Sequence, residues 1–67
     1  MDEKDLRKLA KALRKQGWSV EMIGPRRMAC TTPDGEFRII IWVSRDPRAM
    51  ANAVAVLRRF GFQWPPR

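Results

Sequence analysis

The sequence predicts an α+β fold, with two helices on one face of a three-stranded antiparallel sheet in the order α-β-β-β-α. Three observations predict this two-layer sandwich. Near the start of the chain, apolar residues recur at the spacing of a helix. A run of strand-forming residues lies in the middle. Apolar residues recur at helical spacing again after residue 46, where the sequence is typical of a helix N-terminus. With 67 residues, the chain is expected to form one small domain, residues 1–67, without internal repeats.

The first helix is predicted over residues 2–16, between an N-cap at Asp2 and a stop at Gly17. Its apolar residues recur at helical spacing, at Leu6, Leu9, Ala10 and Leu13. All four lysines of the protein lie on the opposite side of this helix, at Lys4, Lys8, Lys11 and Lys15. They form either an ordinary solvated face or a ridge that contacts phosphate groups.

Three strands are predicted over residues 18–23, 26–32 and 37–43, with turns at Gly24-Pro25 and at Pro33-Asp34-Gly35. Alternation places Met28 and Cys30 of the second strand in the core. The third strand is the most strand-like run, and its predicted core face is wholly apolar, with Phe37, Ile39, Ile41 and Val43. The opposite face would be left open to water or to a partner, and it carries Arg27, Arg38, Ile40 and Trp42.

The second helix is predicted to start at the N-cap Asp46, with Pro47 in the first helical position, and to end at Gly61. Its expected buried stripe consists of Met50, Ala53, Val54, Leu57 and Phe60. Two aromatic residues of the tail, Phe62 and Trp64, are expected to fold back over the core, because a small domain gains most from burying large side chains.

Charge and cysteine content narrow the class of protein. Fourteen Lys and Arg residues against seven Asp and Glu give a net charge of +7, which favours nucleic acid as a partner, then an acidic protein, then an anionic membrane surface. A single cysteine and no histidine predict no internal disulfide, no metal site and a reducing cytoplasm. No export signal or membrane span is expected, because no apolar run approaches ~18 residues.

Few residues could support catalysis. The chain contains no His and no Tyr, and it lacks a phosphate-binding glycine loop and a nucleophile elbow, so no cofactor or catalytic residue is predicted. The remaining candidates, for binding nucleic acid, are basic or aromatic, and they include Arg38 on the open face of the sheet. Arg26 and Arg27 follow the first turn and could bind phosphates, although such pairs are often only solvated. Trp42 could stack on a base, contact a second copy of the chain or pack under the tail.

Several of these features resemble HicA-type toxins. They are the order of elements, the basic helix that ends in Gly17-Trp18, the turn after the first strand and the later Pro33-Asp34-Gly35. Residues 57–66 resemble the ending of a HicA-like branch found in actinobacteria and their phages. The resemblance implies a double-stranded-RNA-binding-like fold, cleavage of messenger RNA, and a HicB-type antitoxin as partner.

The chain departs from this family at one position. The family's catalytic histidine follows a Gly-Ser-His pattern after the first strand, and here that stretch reads Gly24-Pro25-Arg26-Arg27. Arginine cannot exchange protons near neutral pH, because its pKa exceeds ~12. We therefore expect a HicA-like domain that binds nucleic acid, RNA first, without ribonuclease activity. The alternatives are an active ribonuclease with unconventional residues and a phage-encoded protein-interaction factor in the host cytoplasm. This factor would bind a host protein or self-associate through Trp42, Ile40 and the strand edge.

Overall fold

The computed structural model describes residues 3–65 and confirms the predicted α+β fold. The elements, in chain order, are α1 (Glu3–Lys15), β1 (Ser19–Gly24), β2 (Arg27–Thr31), β3 (Arg38–Trp42) and α2 (Pro47–Arg58). The strands form one antiparallel sheet in the order β1-β2-β3, so β1 and β3 are its edges. Both helices pack on the same face, α1 over β1 and α2 over β3.

The core lies between the helices and the sheet. Its fully buried side chains come from α1, β2 and α2, and they are Leu9, Leu13, Met28, Cys30 and Leu57. The burial of Met28 and Cys30 is as predicted, because β2 is the middle strand and its core face is covered by both helices. Ala29 is also buried, although alternation places it on the opposite face; there it lies between its register partners Glu21 and Ile40 on the two edge strands.

Both helices carry the terminal signals that the sequence predicts. Gly17 has φ +91°, and the N–H of Trp18 donates to the carbonyl of Leu13 over 2.9 Å, which closes the end of α1. At the start of α2, the carboxylate of Asp46 accepts from the N–H of Arg48 over 2.9 Å. The predicted cap at Asp2 lies outside the described residues.

The tail folds back over the core as predicted. Phe62 is buried, and its ring contacts that of Trp18 edge-on with centroids 6.3 Å apart. Gln16 and Gln63 exchange two hydrogen bonds of 2.9 and 2.8 Å, which tie the tail to the end of α1. Trp64 packs partly buried against the same cluster.

Two predictions about the core are wrong. Phe37 and Phe60 were expected to be buried, but their exposed fractions are 50% and 38%. Each lies beyond the end of its regular element, since β3 begins at Arg38 and α2 ends at Arg58. The strand and helix periods therefore do not determine their direction, and the two rings pack on each other at the surface, with centroids 5.2 Å apart.

Candidate functional site

The four lysines of α1, hereafter the lysine ridge, all lie on the exposed side of the helix. Leu9 and Leu13 occupy the opposite side and are fully buried against the sheet. Residues three and four positions apart are neighbours on a helix surface. The spacing of Lys4, Lys8, Lys11 and Lys15 therefore places their ammonium groups along one side, facing away from the sheet.

Two arginines flank the lysine ridge. The guanidinium of Arg7 pairs with the carboxylate of Glu3 over 3.0 Å, but both side chains are about four-fifths exposed, and such pairs contribute little free energy. Arg14 is exposed and is the last residue but one of α1. Both arginines border a groove of about 660 Å³ between α1 and β1, which also contains Lys11 and the apolar side chain of Met22. The ridge therefore continues as a cationic rim toward the β1 edge.

The structure separates the two neighbouring arginines of the first turn. Arg26 borders a depression beside the start of α1, together with Glu3 and Arg45. Arg27 begins β2, and its side chain lies on the open face of the sheet. Arg45 was missed as a candidate residue from the sequence, because it lies in the irregular segment before Asp46, where no period indicates its direction. Arg26 and Arg45 thus belong with the helix layer, whereas Arg27 does not.

On the open face, Arg27 and Trp42 form a cation–π pair. They are directly opposite each other in the β2–β3 register, and the guanidinium carbon lies 5.4 Å from the centroid of the indole ring. At an exposed site this contact is worth ~0.5–1 kcal/mol. The ring nevertheless stays 65% exposed, so it keeps a free surface for stacking.

Arg38 lies at the other end of β3, opposite Thr31. It lies four positions before Trp42, which corresponds to about 13 Å along a strand. The predicted site residues therefore fall into two groups. The lysine ridge and Arg26 are on the helix layer, and Arg27, Arg38 and Trp42 are on the opposite side of the molecule, so the two groups do not form one continuous surface.

Among residues 3–65, two titratable groups have clearly shifted pKa values, those of Cys30 and Asp34. Burial raises the pKa of the Cys30 thiol to about 11, so it stays protonated near neutral pH. Hydrogen bonds from the Thr32 hydroxyl, first, and from the Glu36 N–H hold the pKa of Asp34 below its ordinary value of 3.8. Among residues 3–65, no three Cys, Asp or Glu side chains come together as a metal site would require.

Comparisons with known proteins identify no relative. No protein-family model matches the chain, and neither does any curated protein or solved structure. In the described part of the chain, no helix is long and apolar enough to cross a membrane. The resemblance to HicA-type toxins therefore stays a prediction, and arguments about function depend on the residues themselves.

Proposed function

We propose that the chain is a small RNA-binding domain of HicA-like type that contacts the phosphate backbone through the lysine ridge and does not cleave RNA. One observation is the main support for this proposal. Every lysine of a protein with net charge +7 lies on the exposed side of a single helix, opposite its buried leucines. A row of cations on one face of a helix attracts the phosphate groups of a nucleic-acid backbone.

The geometry of the ridge suits a backbone better than a small anion. From Lys4 to Lys15 the helix rises ~16 Å, which spans several phosphates of one strand. Arg26 and Arg45, beside the start of α1, would extend the contact at that end. Because lysine presents a point charge on a flexible stem, we expect binding that depends on charge rather than on base sequence.

The proposal does not include ribonuclease activity, and the reason is chemical. His is the most frequent general acid and base in catalysis, and the chain has no His. Cys30 is buried, and Arg26 and Arg27 stand where the HicA family has its histidine. A cytoplasmic location, in the host cell if the chain is phage-encoded, and a HicB-type antitoxin that competes for the ridge are part of the same proposal.

A titration tests the proposal. A labelled RNA hairpin is titrated with purified protein over a series of salt concentrations, and fluorescence anisotropy reports binding. If each lysine neutralises one phosphate, the logarithm of the association constant should fall against the logarithm of salt with a slope of about −3 to −4. The same samples are then run on a denaturing gel, where the RNA should stay intact.

Other outcomes are equally informative. Cleaved RNA that disappears after a single Arg substitution would overturn the non-catalytic part of the proposal and favour an active toxin-like ribonuclease. Weak binding at low salt, with no dependence on salt, would overturn the binding function itself and favour a protein-interaction factor.

A further inference from the structure

The large apolar side chains that remain exposed are concentrated at one edge of the sheet. Among the described residues seven are exposed, and five of them border β3 or the outer side of α2: Phe37, Ile40, Trp42, Val56 and Phe60. Ile40, Trp42 and Val56 line one groove together with Ala49 and Ala53 of α2. We call these five exposed residues the β3-edge patch. Exposed apolar side chains concentrated in this way often mark an interface.

The backbone of the same edge is unpaired within residues 3–65, because β3 is the last strand of the sheet. In an antiparallel pair, residues alternate between those that bond to the neighbouring strand and those that point away from it. The Val43 N–H donates to the Arg26 carbonyl over 2.7 Å, and the Thr32 N–H donates to the Phe37 carbonyl over 2.9 Å. The backbone N–H and carbonyl groups of residues 37, 39, 41 and 43 therefore point toward β2. Those of Arg38, Ile40 and Trp42 point away from the sheet.

We propose that a second copy of this chain pairs with that edge, β3 against β3 in antiparallel orientation, with Ile40 opposite Ile40 of the second copy. In this register the outward N–H and carbonyl groups of Arg38, Ile40 and Trp42 all find partners, and one two-fold axis closes the pair. Arg38 of each copy then lies opposite Trp42 of the other. β3 carries Ile39 and Ile41 on its helix face, and on its open face it carries Ile40 and Trp42 together with Arg38, so the paired edges would bring apolar side chains together on both sides of the sheet.

β3 contains no lysine, proline or bulge, and its one charged side chain is that of Arg38 at its first residue. Natural edges are usually interrupted by lysine, proline or a bulge. β3 reads Arg-Ile-Ile-Ile-Trp and pairs with β2 in an uninterrupted register, whereas the opposite edge, β1, contains a bulge between Met22 and Gly24. On the helix layer, Ala49 and Ala53 border the edge, and small side chains let two helices approach closely.

The dimer is independent of RNA binding and has the opposite salt dependence. Each copy carries a net charge of +7, so association is opposed by repulsion that salt screens. Dimerisation should strengthen as salt rises, whereas phosphate binding by the lysine ridge should weaken. A failure of one proposal can therefore be distinguished from a failure of the other.

Sedimentation velocity over a wide concentration range, at low and high salt, measures the dimer. We expect a monomer–dimer equilibrium that moves toward dimer in high salt. Ile40→Lys should raise the dissociation constant at least about tenfold, because it places like charges directly opposite each other. Met22→Lys is the matched control, since Met22 is 48% exposed on the other edge and Ile40 is 41% exposed, and it should leave the dimer unchanged.

A second variant keeps the test valid if Ile40→Lys fails to fold. Under mild oxidation Ile40→Cys should form a disulfide-linked dimer faster than Met22→Cys, and the parent should not crosslink, because Cys30 is buried. A parent that stays monomeric at every concentration and salt would overturn the proposal. So would equal crosslinking of the two cysteine variants, or a dimer that Met22→Lys disrupts and Ile40→Lys does not.

Discussion

Two neighbouring side chains of α2 show how sharply burial changes from one residue to the next. Leu57 is fully enclosed by the core, whereas Val56 is 40% exposed at the β3-edge patch. The helical period accounts for the difference, because successive residues are turned by about 100° around the axis. Both residues are apolar, so composition alone does not distinguish them.

This contrast predicts unequal effects of truncation. Leu57→Ala should lower the free energy of unfolding by ~2–5 kcal/mol, which is much of the stability expected of so small a domain. Val56→Ala should change it by no more than about 0.5 kcal/mol. Urea unfolding of both variants, at a concentration low enough to keep the protein monomeric, measures the difference. Equal losses would mean that α2 is rotated relative to the structure described.

At the scale of elements, the turn between β2 and β3 is held by both backbone and side-chain hydrogen bonds. The Gly35 N–H donates to the Thr32 carbonyl over 2.9 Å, which closes the turn. The Thr32 hydroxyl donates to the Asp34 carboxylate and accepts from the Phe37 N–H over 3.1 Å. One side chain thus connects the turn to the start of the third strand.

The turn predicts a pH dependence. The pKa of Asp34 lies below 3.8 in the folded state, so its contribution to stability is present above that pH and is lost as pH falls through the folded-state pKa. Thr32→Val should raise the pKa of Asp34, and Thr32→Ser should preserve it. NMR titration of the Asp34 carboxyl carbon measures this pKa.

Unfolding experiments provide a second measurement of the interaction between Thr32 and Asp34. The stability difference between the parent and Thr32→Val should narrow as pH falls through the folded-state pKa of Asp34, because the protonated carboxyl group loses the advantage that the Thr32 hydroxyl gives to the carboxylate. An Asp34 pKa that is identical in the parent and in Thr32→Val would show that the hydroxyl does not hold the carboxylate.

The elements themselves could be predicted from sequence because each has a strong local signal. Three such signals predict where elements begin or end to within about two residues. They are the recurring leucines of α1, the turn at Pro33-Asp34-Gly35 and the helix start at Asp46-Pro47. Side chains beyond the ends of elements could not be placed this way, which is why Phe37 and Phe60 were wrongly assigned to the core. The bulge in β1 also leaves no clear local signal.

The candidate site was less predictable than the fold, because it depends on which face each side chain occupies. Arg26 and Arg27 are neighbours in sequence, but Arg26 lies in the turn between β1 and β2, and only Arg27 lies in a strand. Strand alternation therefore predicts the face of Arg27 and not the direction of Arg26. Arg45 and Arg26 line the same depression, and no local sequence pattern indicates that they lie close together.

At the scale of the whole molecule, two surfaces lie on opposite sides of a thin two-layer domain. The lysine ridge presents charge with little apolar surface, and the open sheet face with its β3 edge presents apolar and aromatic groups with two arginines. We assign RNA binding to the first surface and self-association to the second. A dimer built through β3 would leave both lysine ridges exposed, so the two functions are compatible.

The most direct test of this assignment compares the salt dependence of RNA binding in two double variants. Lys8→Gln with Lys15→Gln removes two charges from the ridge, and Arg27→Gln with Arg38→Gln removes two from the open face, so each lowers the net charge from +7 to +5. The ridge variant should flatten the salt slope by about two, and the open-face variant should leave it unchanged. Equal flattening in both, or flattening only in the open-face variant, would contradict the assignment of phosphate binding to α1.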